Sequence, residues 1–198
     1  KKFPANITIG QEEKNAVNRV LDSGILSKYL GSYHENFMGG PEVRALEEEW
    51  AEYFDVKHAI AVNSATSGLY SAVGAIGIEP GDEVIVPPFT MSATVMAPII
   101  YGGIPVFADI ESDYFCIDPE KITERITSKT RAIMCVDLFG HPCNYDQIKK
   151  IATENDLKII EDCSQAPGAK YDGCFAGAVA DIGIFSLNYH KHIQCGEG

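Results

Sequence analysis

The stretch Val84-Ile-Val-Pro-Pro-Phe-Thr-Met-Ser-Ala-Thr-Val-Met-Ala-Pro-Ile-Ile-Tyr-Gly-Gly-Ile-Pro-Val-Phe-Ala108 carries no charged residue and is long enough to cross a bilayer. Whether it spans lipid or folds in water decides the fold. Pro87, Pro88, Pro98 and Pro105, with Gly102 and Gly103, would break an isolated membrane helix repeatedly. The stretch therefore reads as strand, loop, helix, turn and strand inside a water-soluble core. Glu83–Val86 and Ile104–Ala108 are the strands, with a helix between them.

The same alternation continues in both directions. Upstream, His58–Val62 reads as a short apolar strand, and Ala65–Gly77 as the helix that follows it. Downstream come a helix over Ile117–Ile126 opening near Asp118-Pro119, a strand over Arg131–Val136 and a helix over Tyr145–Glu154. Strands over Lys158–Ile160 and Ile182–Phe185 complete the series. Before this region, Gln11–Ser23 reads as an amphipathic helix with Val17, Val20 and Leu21 on one side and Gly24 after it. Gly31–Gly40 is a polar loop, and Pro41 opens a second helix with Val43, Leu46, Trp50 and Phe54 on one face. Strand-helix alternation predicts an α/β fold, a three-layer α/β/α sandwich with a mainly parallel central sheet.

Composition narrows the function. A formal net charge of -12 argues against nucleic-acid or anionic-membrane partners, which need basic patches. The six cysteines show no CxxC pair and no zinc-ligand spacing, so they read as reduced core thiols in a cytoplasmic protein, with no metal. The N-terminus lacks the apolar segment of a signal peptide.

In sheets of this kind ligands bind beyond the carboxyl ends of the strands. Asn63-Ser-Ala-Thr-Ser-Gly68, Pro87 to Thr94, Glu161-Asp-Cys-Ser-Gln165 and Ser186 to Lys191 all follow strands, which delivers their polar side chains to one rim. Asn63 to Gly68 places hydroxyls and free amides at a helix N-terminus, where a phosphate is favoured; plain capping by Ser64 or Thr66 is the competing reading. Asp162 ends a buried strand and needs a cationic partner, which a protonated ring nitrogen would supply. Phe89 and Met91 would cover a flat ring, although an apolar pair is more often core. Lys191 sits among neutral polar neighbours, and desolvation there favours the free amine that attacks a carbonyl. A phosphate cradle, a buried acid and a downstream lysine together describe a pyridoxal 5'-phosphate site.

Three ordered motifs carry a resemblance to a known family. Phe185-Ser186 with Lys191 and Gly196-Glu197-Gly198 is similar to F-S-x(4)-K-x(4)-G-E-G. Glu161-Asp-Cys-Ser-Gln-Ala166 resembles E-D-x-[AS]-Q-A, and Asn63 to Gly68, Gly81-Asp-Glu-Val84 and Leu138-Phe-Gly-His-Pro142 match further landmarks. From about Thr8 to Gly198 the chain resembles the sugar aminotransferases of the DegT/DnrJ/EryC1/StrS group, which have the aspartate aminotransferase (type I) fold.

The resemblance implies that Lys191 forms the internal aldimine and is the catalytic residue, moving protons in the 1,3-shift. It implies that Asp162 pairs with the pyridine nitrogen, Gln165 lies against the ring or its phenolic oxygen, and Thr66, Ser67 and Ser186 hold the phosphate. The implied reaction passes an amino group, commonly from glutamate, to a keto group on a nucleotide-linked sugar, in a homodimer with a shared active site. Met91 stands where most relatives carry an aromatic ring-stacker; its thioether can still pack on a pyridine face. Residues 1–40 would be an N-terminal helix and loop segment, and 41–198 the cofactor-binding large domain, with the relatives' smaller C-terminal domain absent from this sequence. A dehydratase branch carries histidine at the lysine position, so Lys191 favours aminotransfer; a non-catalytic truncated cofactor-binding or scaffold domain is the alternative from another class. Tyr33, His34 and Asn36 are candidate substrate contacts, against the simpler reading of a solvated loop.

Overall fold

The structure, a computed structural model, describes residues 9–29, 31–34 and 37–198. Helix α1 (Gln11–Asp22) begins where Glu13 Oε2 accepts the Gly10 N–H at 2.6 Å, and Gly24 leaves it at φ 69°. Its apolar side stays exposed, since α1 buries none of its residues in the described chain. Helix α2 (Pro41–Phe54) has proline at its first position, where the missing N–H costs nothing. A bidentate Arg19–Glu42 pair ties α1 to α2 at the surface, at 3.1 and 3.0 Å.

The α/β body follows with α3 (Ala65–Ala75), β1 (Glu83–Val86), α4 (Ser92–Ile100), β2 (Ile104–Phe107), α5 (Pro119–Arg125) and β3 (Thr130–Val136). A 3-10 turn (Leu138–Gly140), α6 (Tyr145–Glu154) and β4 (Lys158–Asp162) come next. A two-stranded hairpin, β5 (Lys170–Tyr171) with β6 (Cys174–Phe175), and finally β7 (Ile182–Ile184) complete the described elements. The main sheet has the order β2-β1-β3-β4-β7 and is parallel throughout. Parallel strands need covering on both faces, and they have it. Leu69 and Val73 of α3 and Ala97 of α4 pack on Val84, Val86, Met134 and Ile160 on one face. Ile122 of α5 and Ile148 and Ala152 of α6 pack on Ile85, Ile133, Cys135 and Ile159 on the other. The expected three-layer architecture is present. The charge-free stretch is spent inside it: Val84, Ile85 and Val86 are fully buried, and no helix among the described residues is long and apolar enough to cross a membrane.

Aromatic packing fastens α2 to the end of the chain. Trp50 stacks on Phe54 at 4.9 Å between centroids, and both rings reach Phe185, at 5.1 and 4.7 Å. The ring of Phe54 also meets Phe175 at 5.2 Å, so one aromatic knot joins α2, the hairpin and the segment after β7.

Two expectations need correction, and one element is new. His58–Val62 forms no ladder among the described residues. It has the apolar alternation of a strand but no neighbouring strand to pair with; the Ala61 N–H bonds instead to Glu47 Oε1 at 2.8 Å. The short β5–β6 hairpin was not anticipated, because two-residue strands leave no periodicity to read. Of the six cysteines expected in the core, Cys174 and Cys195 are exposed, and Cys116, Cys135, Cys143 and Cys163 are buried.

Candidate functional site

The rim is built by the parallel register. Asp162 pairs with Ile184 across β4 and β7, so the loops beyond both strands leave the sheet together. A Cβ on Gly68 would touch Ile184 Cγ2 at 3.1 Å, so the first turn of α3 is seated against the end of β7. Thr66 and Ser67 therefore stand at the same edge as the segment from Ser186 to Lys191.

At the α3 N-terminus the capping reading is the one observed. Ser64 is the N-cap: its Oγ accepts the Ser67 N–H at 3.1 Å and lies 3.1 Å from Ser67 Oγ. That commits the Ser67 amide to the cap. The amides of Ala65 and Thr66 and the Thr66 hydroxyl take no hydrogen bond from or to a described residue, so the helix end keeps donors for an anion. Replacing Ser64 by alanine is expected to cost about 1 kcal/mol. The check is the urea unfolding midpoint, and an unchanged midpoint would mean the cap contributes nothing.

Asp162 is buried, and its oxygens accept from the Thr94 hydroxyl at 3.4 Å and the Ser164 N–H at 3.1 Å. It enters no ion pair with a described residue. The cationic partner that the sequence demanded is thus not supplied by the described protein, and its contacts are neutral donors only. Thr94 is itself fully buried and lies 2.9 Å from the Thr90 hydroxyl. Sequence reasoning placed Thr94 on the rim but missed it as the partner of Asp162; the four-residue spacing of Thr90 and Thr94 across the start of α4 was the available signal.

Gln165 is held from below, its Oε1 accepting the Phe139 N–H at 2.9 Å. Phe139 adopts a left-handed φ of 54° to present that amide. Met91 occupies the N-cap position of α4 and is exposed, as is Phe89, whose ring meets Phe115 and Phe139 edge-on at 6.2 Å each. Ser186 is turned toward the final loop: its Oγ lies 3.4 Å from the Gly198 carbonyl and 3.4 Å from the Asn188 N–H. This loop closes on itself through an Asn188–Gly196 bridge and a Leu187 N–H to Gly198 carbonyl bond of 2.9 Å. Lys191 lies within it, half-buried, with its backbone N–H on the Asn188 carbonyl at 2.9 Å. Its Nζ enters no ion pair with a described residue. Tyr33 is fully exposed, and Asn36 and Thr8 lie outside the described residues.

The sequence pattern of the DegT/DnrJ/EryC1/StrS aminotransferase family matches residues 7–198. The chain belongs to this family. As a DegT/DnrJ/EryC1/StrS chain it is 41% identical over 187 residues to a GDP-perosamine synthase of Escherichia coli O157:H7, covering 94% of this chain and 49% of that protein. It is 38% identical over 188 residues to a dTDP-3-amino-3,4,6-trideoxy-alpha-D-glucose transaminase of Streptomyces venezuelae, covering 94% and 47%. A protein of Streptococcus pneumoniae solved in its PLP form superposes with a TM-score of 0.84 at 29% identity, over 96% of this chain and 50% of that one. The chain spans about half the length of the curated relatives it matches.

The residues present fit pyridoxal phosphate. A buried carboxylate with neutral donors only suits a protonated ring nitrogen, and the open amides and hydroxyl at the start of α3 suit its phosphate.

Proposed function

We propose that this chain is the cofactor-binding part of a pyridoxal-phosphate-dependent aminotransferase that passes an amino group, from glutamate, to a keto group on a nucleotide-linked sugar. The observation that carries the reading is Asp162: buried, without a cation of its own, on the rim that also bears Lys191 and the start of α3. The relatives' names, a GDP-sugar synthase and a dTDP-sugar transaminase, support the substrate class.

Each residue has a physical task. Thr66 would donate its hydroxyl, and the first amides of α3 their N–H groups, to the phosphate; Ser67 and Ser186 would add hydroxyls once turned from their present partners. Asp162 would hold a proton on the ring nitrogen through its charge, and Thr94 and Ser164 keep that carboxylate oriented. Gln165 would lie against the ring, steadied by the Phe139 amide, and Met91 would cover the open face. Lys191 Nζ would anchor the cofactor and later take and return the migrating proton, a role worth roughly 10²- to 10⁴-fold in rate. Pyridoxal phosphate, when bound, supplies an electron sink for the substrate carbon.

Within this reading residues 41–198 form the cofactor-binding domain, residues 1–40 are an N-terminal helix and loop segment, and two copies share an active site. Four buried unpaired thiols support a reducing compartment, hence the cytoplasm.

The test is a visible absorbance spectrum with added pyridoxal phosphate beside a Lys191→Ala variant, using a chain of the relatives' full length. A long-wavelength imine band present in the parent and missing from the variant is expected. A folded parent with no band would end the proposal. A band that glutamate never discharges would leave a cofactor-binding protein that does not transfer amino groups.

A further inference from the structure

Beneath the rim, on the opposite face of the sheet from Asp162, lies a pair of acids that the proposed reaction does not use. Asp137 follows β3 and Glu161 is in β4, and both are fully buried. An oxygen of each and the sulfur of Cys163 lie within 4.8 Å of one another. Neither enters an ion pair with a described residue.

The hydrogen bonds leave matching gaps. Glu161 Oε2 accepts the Val179 and Ala180 amides at 3.2 Å each, while Oε1 is buried with no partner. Asp137 Oδ1 accepts the Cys143 N–H at 3.0 Å and the Tyr145 hydroxyl at 2.8 Å, while Oδ2 has only the Cys163 thiol at 3.5 Å. Each carboxyl thus has one oxygen well satisfied and one nearly bare, and an oxygen of one lies within 4.8 Å of an oxygen of the other. Two such groups cannot both ionise in a dry interior, and one proton between them fills both gaps.

Asp137 also controls a turn. Its N–H donates to the Asp162 carbonyl at 3.1 Å, and its side chain reaches across to Cys143, so it ties both ends of the segment that carries the Leu138–Gly140 turn. Within that segment the Phe139 N–H grips Gln165.

We propose that Asp137 and Glu161 share a single proton in the folded protein, and that in this form Asp137 is a positioning residue for Gln165. The second half rests on the reading in which Gln165 lies against the cofactor. The titratable groups facing Asp137 are Glu161 from β4, Cys163 beyond it, Cys135 from β3, Cys143 from the loop before α6 and Tyr145 at the start of α6; none is a cation. Burial, then the charge of Glu161, pushes Asp137 up from 3.8 to about 7, against the opposing pull of the Cys143 and Tyr145 donors.

The sign follows from linkage. Between pH 4 and 7 the unfolded chain gives up this proton and the folded chain keeps it, so the pair's contribution to stability falls as pH rises through that window and is level above it. With a separation of about 3 pH units the unfolding equilibrium shifts by up to about 10³-fold.

The direct experiment is a carbon-13 titration of the carboxyl groups in the unaltered protein without cofactor, which needs no variant and no catalysis. A carboxyl still neutral at pH 6 and assigned to Asp137 or Glu161 is expected; both ionised by pH 5 overturns the shared proton, as does one equivalent of tightly held divalent cation. Asp137→Asn supplies a permanent donor in place of the proton and should remove the 10³-fold pH dependence; a variant that tracks the parent from pH 4 to 8 refutes the proposal. The positioning role is read from the exchange protection of the Phe139 amide. In the parent, protection should fall with a midpoint near pH 7. Protection indifferent to pH overturns the positioning role. None of these readouts involves pyridoxal phosphate, so failure of the aminotransferase reading leaves them intact.

Discussion

Asp162→Asn is expected to lower amino transfer by roughly 30- to 5000-fold while leaving the fold in place, the range set by truncating one member of a buried charge pair. Asparagine keeps the shape of the side chain; its one oxygen can still accept the Ser164 N–H, and its amide can donate to the Thr94 hydroxyl oxygen where the carboxylate accepted from it. On the proposed reading, what disappears is the negative charge that would lie opposite the ring nitrogen, and with it the means of keeping that nitrogen protonated. The loss should therefore appear in the rate of the glutamate half-reaction on the cofactor-loaded, full-length protein, with far-ultraviolet circular dichroism unchanged. A variant turning over within threefold of the parent would mean that Asp162 does not face the ring nitrogen.

Gly183→Ala should have the largest effect on stability. A Cβ at this position would run into the Gly177 carbonyl oxygen and come within 2.6 Å of its carbonyl carbon. These are backbone atoms, so no side chain can rotate away. Gly177 is itself at φ 90° with Phe185 packed over it, which leaves it little room to retreat. The approach is close because the chain between them folds back to offer the Val179 and Ala180 amides to Glu161. A cost above about 4 kcal/mol is expected, enough to unfold a marginal domain. Gly173→Ala is the control: Gly173 has a positive φ of 84° and open space around it, so a backbone cost of about 1 kcal/mol applies with no clash. Equal urea midpoints for the two variants would refute the steric account.

Much of the fold was legible because the signals are local. Glu83–Val86 and Ile104–Phe107 announce themselves as apolar runs bounded by proline and glycine, and Tyr145–Glu154 is the helix expected there, which the structure shows capped by Asn144. His58–Val62 carries the same local signal yet forms no strand, because a ladder needs a second chain segment and that requirement is not written in the run itself. The site divides along the same line. Asp162, Gln165 and Lys191 stand in motifs with fixed spacing. Thr94 and Asp137 act on residues far along the chain, at places set by the β3–β4 register and the packing of α4; the Thr90–Thr94 spacing marks a pair of neighbours but not Asp162 as their target, and no spacing points to Asp137. The turning of Ser186 toward Gly198 was likewise invisible, since a hydroxyl's choice between two acceptors depends on where the last loop closes.

The position of β7 at the margin of the sheet has a practical side. One flank of this strand is paired with β4; the other presents backbone donors and acceptors to no described strand. An open flank of this kind templates pairing between molecules, and β7 has neither the inward charge nor the proline that natural edges use to discourage it. The 198 residues produced alone should therefore self-associate at micromolar concentration, more so when warmed. Lysine placed at Gly183 is barred by the steric clash there, so solubility is better sought by giving the flank a strand of its own.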